Sequence, residues 1–251
     1  MSDNVSSSVL FHITRSMKNL TGILKDGFIP HCCPEYGFGD FDEVALKKQQ
    51  PPFRAVAMVC FCDLPLSLIR KHLGTYGQFG IGLRKEWGIQ HGLEPVIYSH
   101  PNAQTRAPIS RLTALIWEGN NIAGTMGSDL DLIAAYTKRY RGNAWRYGKF
   151  QSEETFYDER EWRYVQTMAD GSPMCMSHED LRNQDVKNAN EEMIKAKGTL
   201  PVAPDDIQYL IVPDDNHILE LHQCLKELYE PDDAILVTTA IMTIDCITED
   251  V

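Results

Sequence analysis

No stretch of this 251-residue chain approaches the roughly 18 consecutive apolar residues that a membrane-spanning helix needs. The opening MSDNVSSSV has neither a basic segment nor an apolar run behind it, so it does not read as an export signal. Together these absences predict a cytoplasmic protein without a membrane partner. Cysteine is sparse and irregularly placed: Cys32, Cys33, Cys60, Cys62, Cys175, Cys224 and Cys246 make no disulfide framework, and reduced thiols are the expectation. The common nucleotide signatures are missing as well. Gly80-Ile81-Gly82-Leu83-Arg84-Lys85 lacks the third glycine of a dinucleotide turn. Gly142 to Lys149 imitates a phosphate loop, but its spacer is too long and Phe150 stands where a metal-binding hydroxyl is required. Neither a nucleophile elbow nor a zincin helix occurs. His31, Cys32, Cys33, Cys60, Cys62 and His72 lack the paired spacing of a zinc ribbon, so no metal is expected.

Basic charge is nearly absent from one end. Between Ala203 and Val251 twelve acidic residues accompany a single cation, Lys226, a net of −11 that equals the charge of the whole chain. The other residues are therefore balanced. Such an end disfavours phosphates only within a Debye length, ~8 Å in physiological salt. It reads either as a solvated acidic surface or as a docking face for a basic partner.

The apolar pattern suggests alternating elements. Val9 to Thr14 is a short β-branched and aromatic run, and the helical spacing after it stops at Gly27. Residues 31–52 read as loop with one short helix over 42–48, and Ala55 to Cys62 as a strand buried on both faces. A helix opens at Pro65, with Asp63 as a candidate cap, and runs to about Leu73. Strands are predicted at Phe79 to Leu83, Pro95 to Tyr98, Glu161 to Thr167, Ile207 to Val212 and Ala234 to Thr243. Helices are predicted over 109–117, over 130–136, and from Asn216, as cap, to Tyr229. The sum is one α+β domain over 1–251, a mixed or antiparallel central sheet with peripheral helices, whose acidic portion is 203–251.

Two dispersed features carry chemistry. His12 and Thr14 share one side of the first strand, and Glu159 and Glu161, two residues apart, would lie on one strand face ~7 Å from each other. A histidine strand near the start and a late Glu-x-Glu strand resemble the ADP-ribosyltransferase superfamily. Phe11-His12-Ile13-Thr14, then Asn19-Leu20, Ile23-Leu24 and Gly27-Phe28, is similar to the opening of DarT-like nucleic-acid ADP-ribosyltransferases. The segments FCDLPLSLIRKHLGTYGQFGIGLRKEW (61–87) and FYDEREWRY (156–164) resemble the AbiGi-type abortive-infection family of bacterial phage-defence proteins, which is described in general terms as antitoxin-like.

The superfamily resemblance implies an ADP-ribosyltransferase-like fold with NAD as substrate, and loss of nicotinamide through an oxocarbenium-like ribose. A fixed carboxylate stabilises that cation more than the ground state. Glu161 is the candidate for it, with Glu159 orienting or deprotonating the acceptor. The same resemblance implies that His12 holds the adenosine ribose, that Ile13 or Thr14 grips the nicotinamide amide through the backbone, and that Tyr76 stacks on the ring. Tyr136 to Lys149 mixes five cations with four aromatics, a composition that can hold a single strand. Arg139, Arg141, Trp145 and Arg146 would be its substrate contacts.

Each residue also has a plain structural role open to it: His12 as a core histidine donating to a carbonyl, Glu159 and Glu161 paired with Arg160 and Arg163 on a solvated strand face, Tyr76 packed in the core. Two functions of different kinds follow. One is an ADP-ribosyltransferase-like effector of an anti-phage system, acting on nucleic acid. The other is a non-enzymatic antitoxin-like protein that neutralises a partner toxin encoded nearby.

Overall fold

The structure, a computed structural model, describes residues 7–36, 53–100, 102–109, 111, 125–146 and 149–249. In chain order its main elements are β1 (Val9–Thr14), α1 (Met17–Asp26), β2 (His31–Tyr36), β3 (Phe53–Cys62), α2 (Arg70–Tyr76), β4 (Phe79–Arg84) and α3 (Lys85–Gln90). Next come β5 (Glu94–Pro95), β6 (Ile97–Ser99), α4 (Thr125–Ala135), β7 (Thr137–Arg139), β8 (Arg141–Arg146), β9 (Lys149–Thr155), β10 (Glu161–Val165) and β11 (Cys175–Ser177). The chain closes with α5 (His178–Arg182), α6 (Gln184–Ala196), β12 (Ile207–Val212), α7 (Asp215–Leu228), α8 (Pro231–Thr238), β13 (Ile241–Thr243) and α9 (Ile244–Glu249). No helix among the described residues is long and apolar enough to cross a membrane. Two compact units emerge, one of Met1–Ile29, Cys60–Leu93 and Thr199–Val251, the other of Pro30–Val59 and Glu94–Gly198.

In the first unit β4 is central. It pairs antiparallel with β1, from Val9↔Arg84 to Thr14↔Phe79, and antiparallel with β12, which pairs parallel with β13. The sheet is mixed, as expected. Phe11 lies across β4 because Gly82 has no side chain; a Cβ there would come within 2.7 Å of the Phe11 ring. Val9, Phe11, Cys62, Leu64, Ile69, Leu73, Ile211 and Ile247 pack into one core. Local chemistry sets the helix starts: the Ser16 hydroxyl accepts from the Asn19 amide, and the Asp214 carboxylate accepts from the Asn216 and His217 amides.

In the second unit β2 and β11 both pair antiparallel with β3, opposite the same residues: Cys33 and Cys175 both face Val56. The Ala57 amide donates to the Met174 carbonyl while its own carbonyl accepts from the Gln166 amide. Beyond β10 lies β5. Two further pairs complete the unit, β6 parallel to β7 and β8 antiparallel to β9.

Several expectations need correction. His31–Tyr36 is a strand, not loop; Pro34 is tolerated there because β2 pairs with β3 alone among the described strands. Ala234 to Thr238 is helix, and only Ile241–Thr243 is strand. Pro231 in the first turn, with Asp232 and Asp233 beside it, starts a helix that buries Ala234 and Val237, and this outweighs the β-branched composition. Asp214, not Asn216, caps α7. Asp63 is no cap: it is buried and accepts from Lys85 Nζ at 2.8 Å. The run from Pro95 divides into β5 and β6, which pair with different strands. The helices expected over 42–48 and over most of 109–117 lie outside the described residues.

Candidate functional site

The candidate residues divide between the units. His12, Ile13, Thr14 and Tyr76 fall in the first; Glu159, Glu161, Arg139, Arg141, Trp145 and Arg146 fall in the second.

His12 is half-buried on β1, opposite Ile81 of β4. Its Nδ1 lies 2.8 Å from the Cys60 carbonyl. A carbonyl only accepts, so Nδ1 carries the proton in that bond. The ring meets Phe28 edge-on at 5.1 Å and Phe61 at 5.6 Å, and both phenyl rings touch buried Trp87. Ile13 packs against the first unit's core, and Thr14 is buried at the end of β1. Tyr76 is on the helix α2, its ring 5.8 Å from the His72 ring.

The second unit contains a buried charge cluster. Glu159 ends a 3-10 turn, Phe156–Glu159, and does not share a strand with Glu161. Between them Arg160 adopts left-handed backbone, φ 43°, a conformation that costs a non-glycine residue of order 1 kcal/mol. That turn lets both carboxylates reach one cation. Lys138 Nζ of β7 donates to Glu159 Oε2 and to Glu161 Oε2, each at 2.7 Å. Arg163, two residues along β10 on the face that also buries Glu161 and Val165, has no exposed surface. It donates through Nε to Glu161 Oε1 at 2.7 Å, through Nη2 to Glu161 Oε2 at 3.2 Å and to Glu35 Oε1 at 2.7 Å, and through Nη1 to the Ala135 carbonyl at 2.6 Å. The Tyr98 hydroxyl accepts from the Glu161 amide at 2.9 Å.

Three carboxylates thus share two cations, and their titration follows. Burial works against ionised Glu161, but Arg163 and Lys138 outweigh it and hold its carboxyl well below the usual range. For Glu35 burial dominates and pushes the carboxyl up, with Arg163 and Lys138 offsetting it only in part. Burial opposes charge on Lys138 too, yet Glu161, Glu159 and Glu35 raise its pKa well above the ordinary value. A depressed carboxylate contributes stability that is full above its unfolded value, 4.5, and is lost as pH falls below it. Glu35 has the opposite sign and takes up a proton first, which removes the surplus negative charge. The unfolding midpoint in urea is therefore expected not to fall between about pH 7 and about pH 5, to rise where Glu35 takes up its proton, and to drop below about pH 4.5. A midpoint as high at about pH 3 as at about pH 5 would contradict an ionised, paired Glu161.

The basic, aromatic segment is mostly strand, in β7 and β8. Arg139 is buried, with Nη2 on the Asn143 carbonyl at 3.2 Å and its guanidinium 5.5 Å from the Phe156 ring, so it is not presented to a phosphate. Arg141 is exposed and sits 3.7 Å from Glu153. Trp145 and Arg146 belong to β8; their side chains are outside the described ones. Thiol chemistry is not favoured at Cys32 or Cys175, where burial pushes the thiol up, to about 11 for Cys32.

Sequence reasoning anticipates the pairing of Glu161 with Arg163 but puts it on a solvated face. It assigns Lys138 only to the basic segment and Glu35 to a loop; neither carries a local signal, because each meets the cluster from a distant strand. The Glu161, Arg163, Val165 alternation is the one available hint, since it ends in a residue that belongs inside.

Comparison with known proteins adds the following. Residues 27–213 match the family model described as "Putative abortive phage resistance protein AbiGi, antitoxin". The chain is 26% identical over 210 residues to an "Abortive phage resistance protein AbiGi" of Lactococcus lactis subsp. cremoris, covering 74% of this chain and 82% of that protein. No solved structure matches.

Proposed function

We propose that this chain, which belongs to the AbiGi family of abortive phage resistance proteins, serves phage defence as an antitoxin-like binding protein that neutralises a partner toxin. The observation that carries this reading is the family match over residues 27–213, whose description is that of an antitoxin. The charge cluster agrees with it. Both Glu161 oxygens are already taken by Arg163 and Lys138, so this carboxylate offers little extra stabilisation to a developing ribose cation.

A second reading, an ADP-ribosyltransferase fold using NAD and modifying nucleic acid, has one favourable observation: Glu161 is held rigid and ionised at neutral pH. Expression in a bacterial host separates the two. The chain alone is expected to leave growth unchanged, and co-expression is expected to restore growth arrested by the toxic product of the gene beside its own. Growth arrest by the chain alone, with release of nicotinamide from NAD by the purified protein, would replace the binding reading with the enzymatic one. Loss of toxicity in Glu161→Gln would not suffice, because that change also disturbs the ion pairs.

A further inference from the structure

The first unit carries a second surface of interest, the outer side of α7 and α8. α7 turns Leu221 and Leu225 inward, and α8 does the same with Ala234 and Val237. The two helices are joined by a side-chain bond: the Thr238 hydroxyl donates to the Ala234 carbonyl at 2.6 Å, so at 3.0 Å it accepts from His222 Nδ1. Their outer positions are not uniformly polar. Leu219 is 72% exposed, Ile235 63% and Leu236 48%. Glu220, Glu227, Glu230 and Asp232 are also exposed. Between Asp214 and Asp233 seven carboxylates accompany Lys226 alone, a net of −6.

Solubility explains the carboxylates but not three large apolar side chains left in water among them. Apolar anchors surrounded by charge of one sign are the make-up of an association surface, in which the charge selects and steers and the anchors hold. We propose that the outer face of α7 and α8 is where a partner protein docks, one that presents a basic surface containing apolar pockets. The inference rests on the binding reading and supplies its surface. Charge complementarity commits it to a cationic protein, since nucleic acids and anionic membranes are repelled here. Not every carboxylate after Ala203 belongs to this face. Asp206 and Asp214 are occupied locally, on the Ala203 amide and at the start of α7, whereas the four exposed carboxylates on and between the helices face outward.

The probe is the purified product of the neighbouring gene, and the measurement is its association and dissociation kinetics with the full chain across a salt series. Replacing Glu220, Glu227 and Glu230 by Gln and Asp232 by Asn is expected to slow association about 10-fold at low salt and hardly at all near 1 M, where the Debye length is ~3 Å. Leu219→Ser with Ile235→Ser is expected to leave association unchanged and to speed dissociation about 10-fold or more. All these side chains are exposed, so both variants should stay folded, with the unfolding midpoint lowered only by the small contribution that Asp232 makes at the start of α8 and by small changes in helix propensity. A wild-type complex that neither variant alters would overturn the docking face and leave the binding reading intact. No complex with the wild-type chain would overturn both.

Discussion

Arg163→Ala is expected to cost about 3–5 kcal/mol of stability, the usual consequence of removing one partner from a buried ion pair. The guanidinium has no exposed surface and donates to Glu161, Glu35 and the Ala135 carbonyl. Without it the buried Glu161 carboxylate and the half-buried Glu35 carboxylate are left, among the described residues, with Lys138 to offset them, and a buried carbonyl loses its donor. The surplus carboxylate provides an internal check. Glu35→Gln removes the charge that burial already disfavours, so by itself it should change stability by less than about 1 kcal/mol. Combined with Arg163→Ala, it should recover part of the loss, because the two residues are in contact and their effects cannot add. Urea unfolding, with hydrogen exchange of the β10 amides as the local readout, measures all three variants. A cost below about 1 kcal/mol for Arg163→Ala would mean that the cluster is solvated and contributes little.

Gly77→Ala should be nearly as damaging, at about 3 kcal/mol or more. Gly77 follows α2 with φ 152° and ψ 173°, a region that only glycine enters freely. A Cβ at this position would overlap the Thr14 carbonyl at the end of β1. That neighbour is backbone, paired with Phe79 in the sheet, and cannot move aside as a side chain would. Gly22, inside α1, predicts the opposite sign: nothing lies within 4 Å of the place a methyl group would take, so Gly22→Ala should stabilise by about 0.5–1 kcal/mol through helix propensity. Thermal or urea midpoints of the two variants should move in opposite directions. If both fall, the environment assigned to one of these glycines is wrong.

The sequence alone determined what depends on periodicity and local chemistry. The β-branched run at β1, the apolar run at β3, the strands β4 and β12 and the amphipathic α1 and α7 are legible because each meets its own hydrogen-bonding or burial need within a few residues. The concentration of acid after Ala203 and the family resemblance in 61–87 and 156–164 were likewise readable directly. Tertiary structure decided the rest. Polar, proline-containing His31–Tyr36 becomes a strand only because β3 offers it a ladder, and Ala234 to Thr238 becomes helix because Pro231 starts one whose apolar stripe has a core to enter. The charge cluster was the least legible feature. Glu35, Lys138 and Arg163 come from three strands far apart in the chain, and burial, which no single segment specifies, is what turns ordinary surface residue types into partners that cannot be separated without cost.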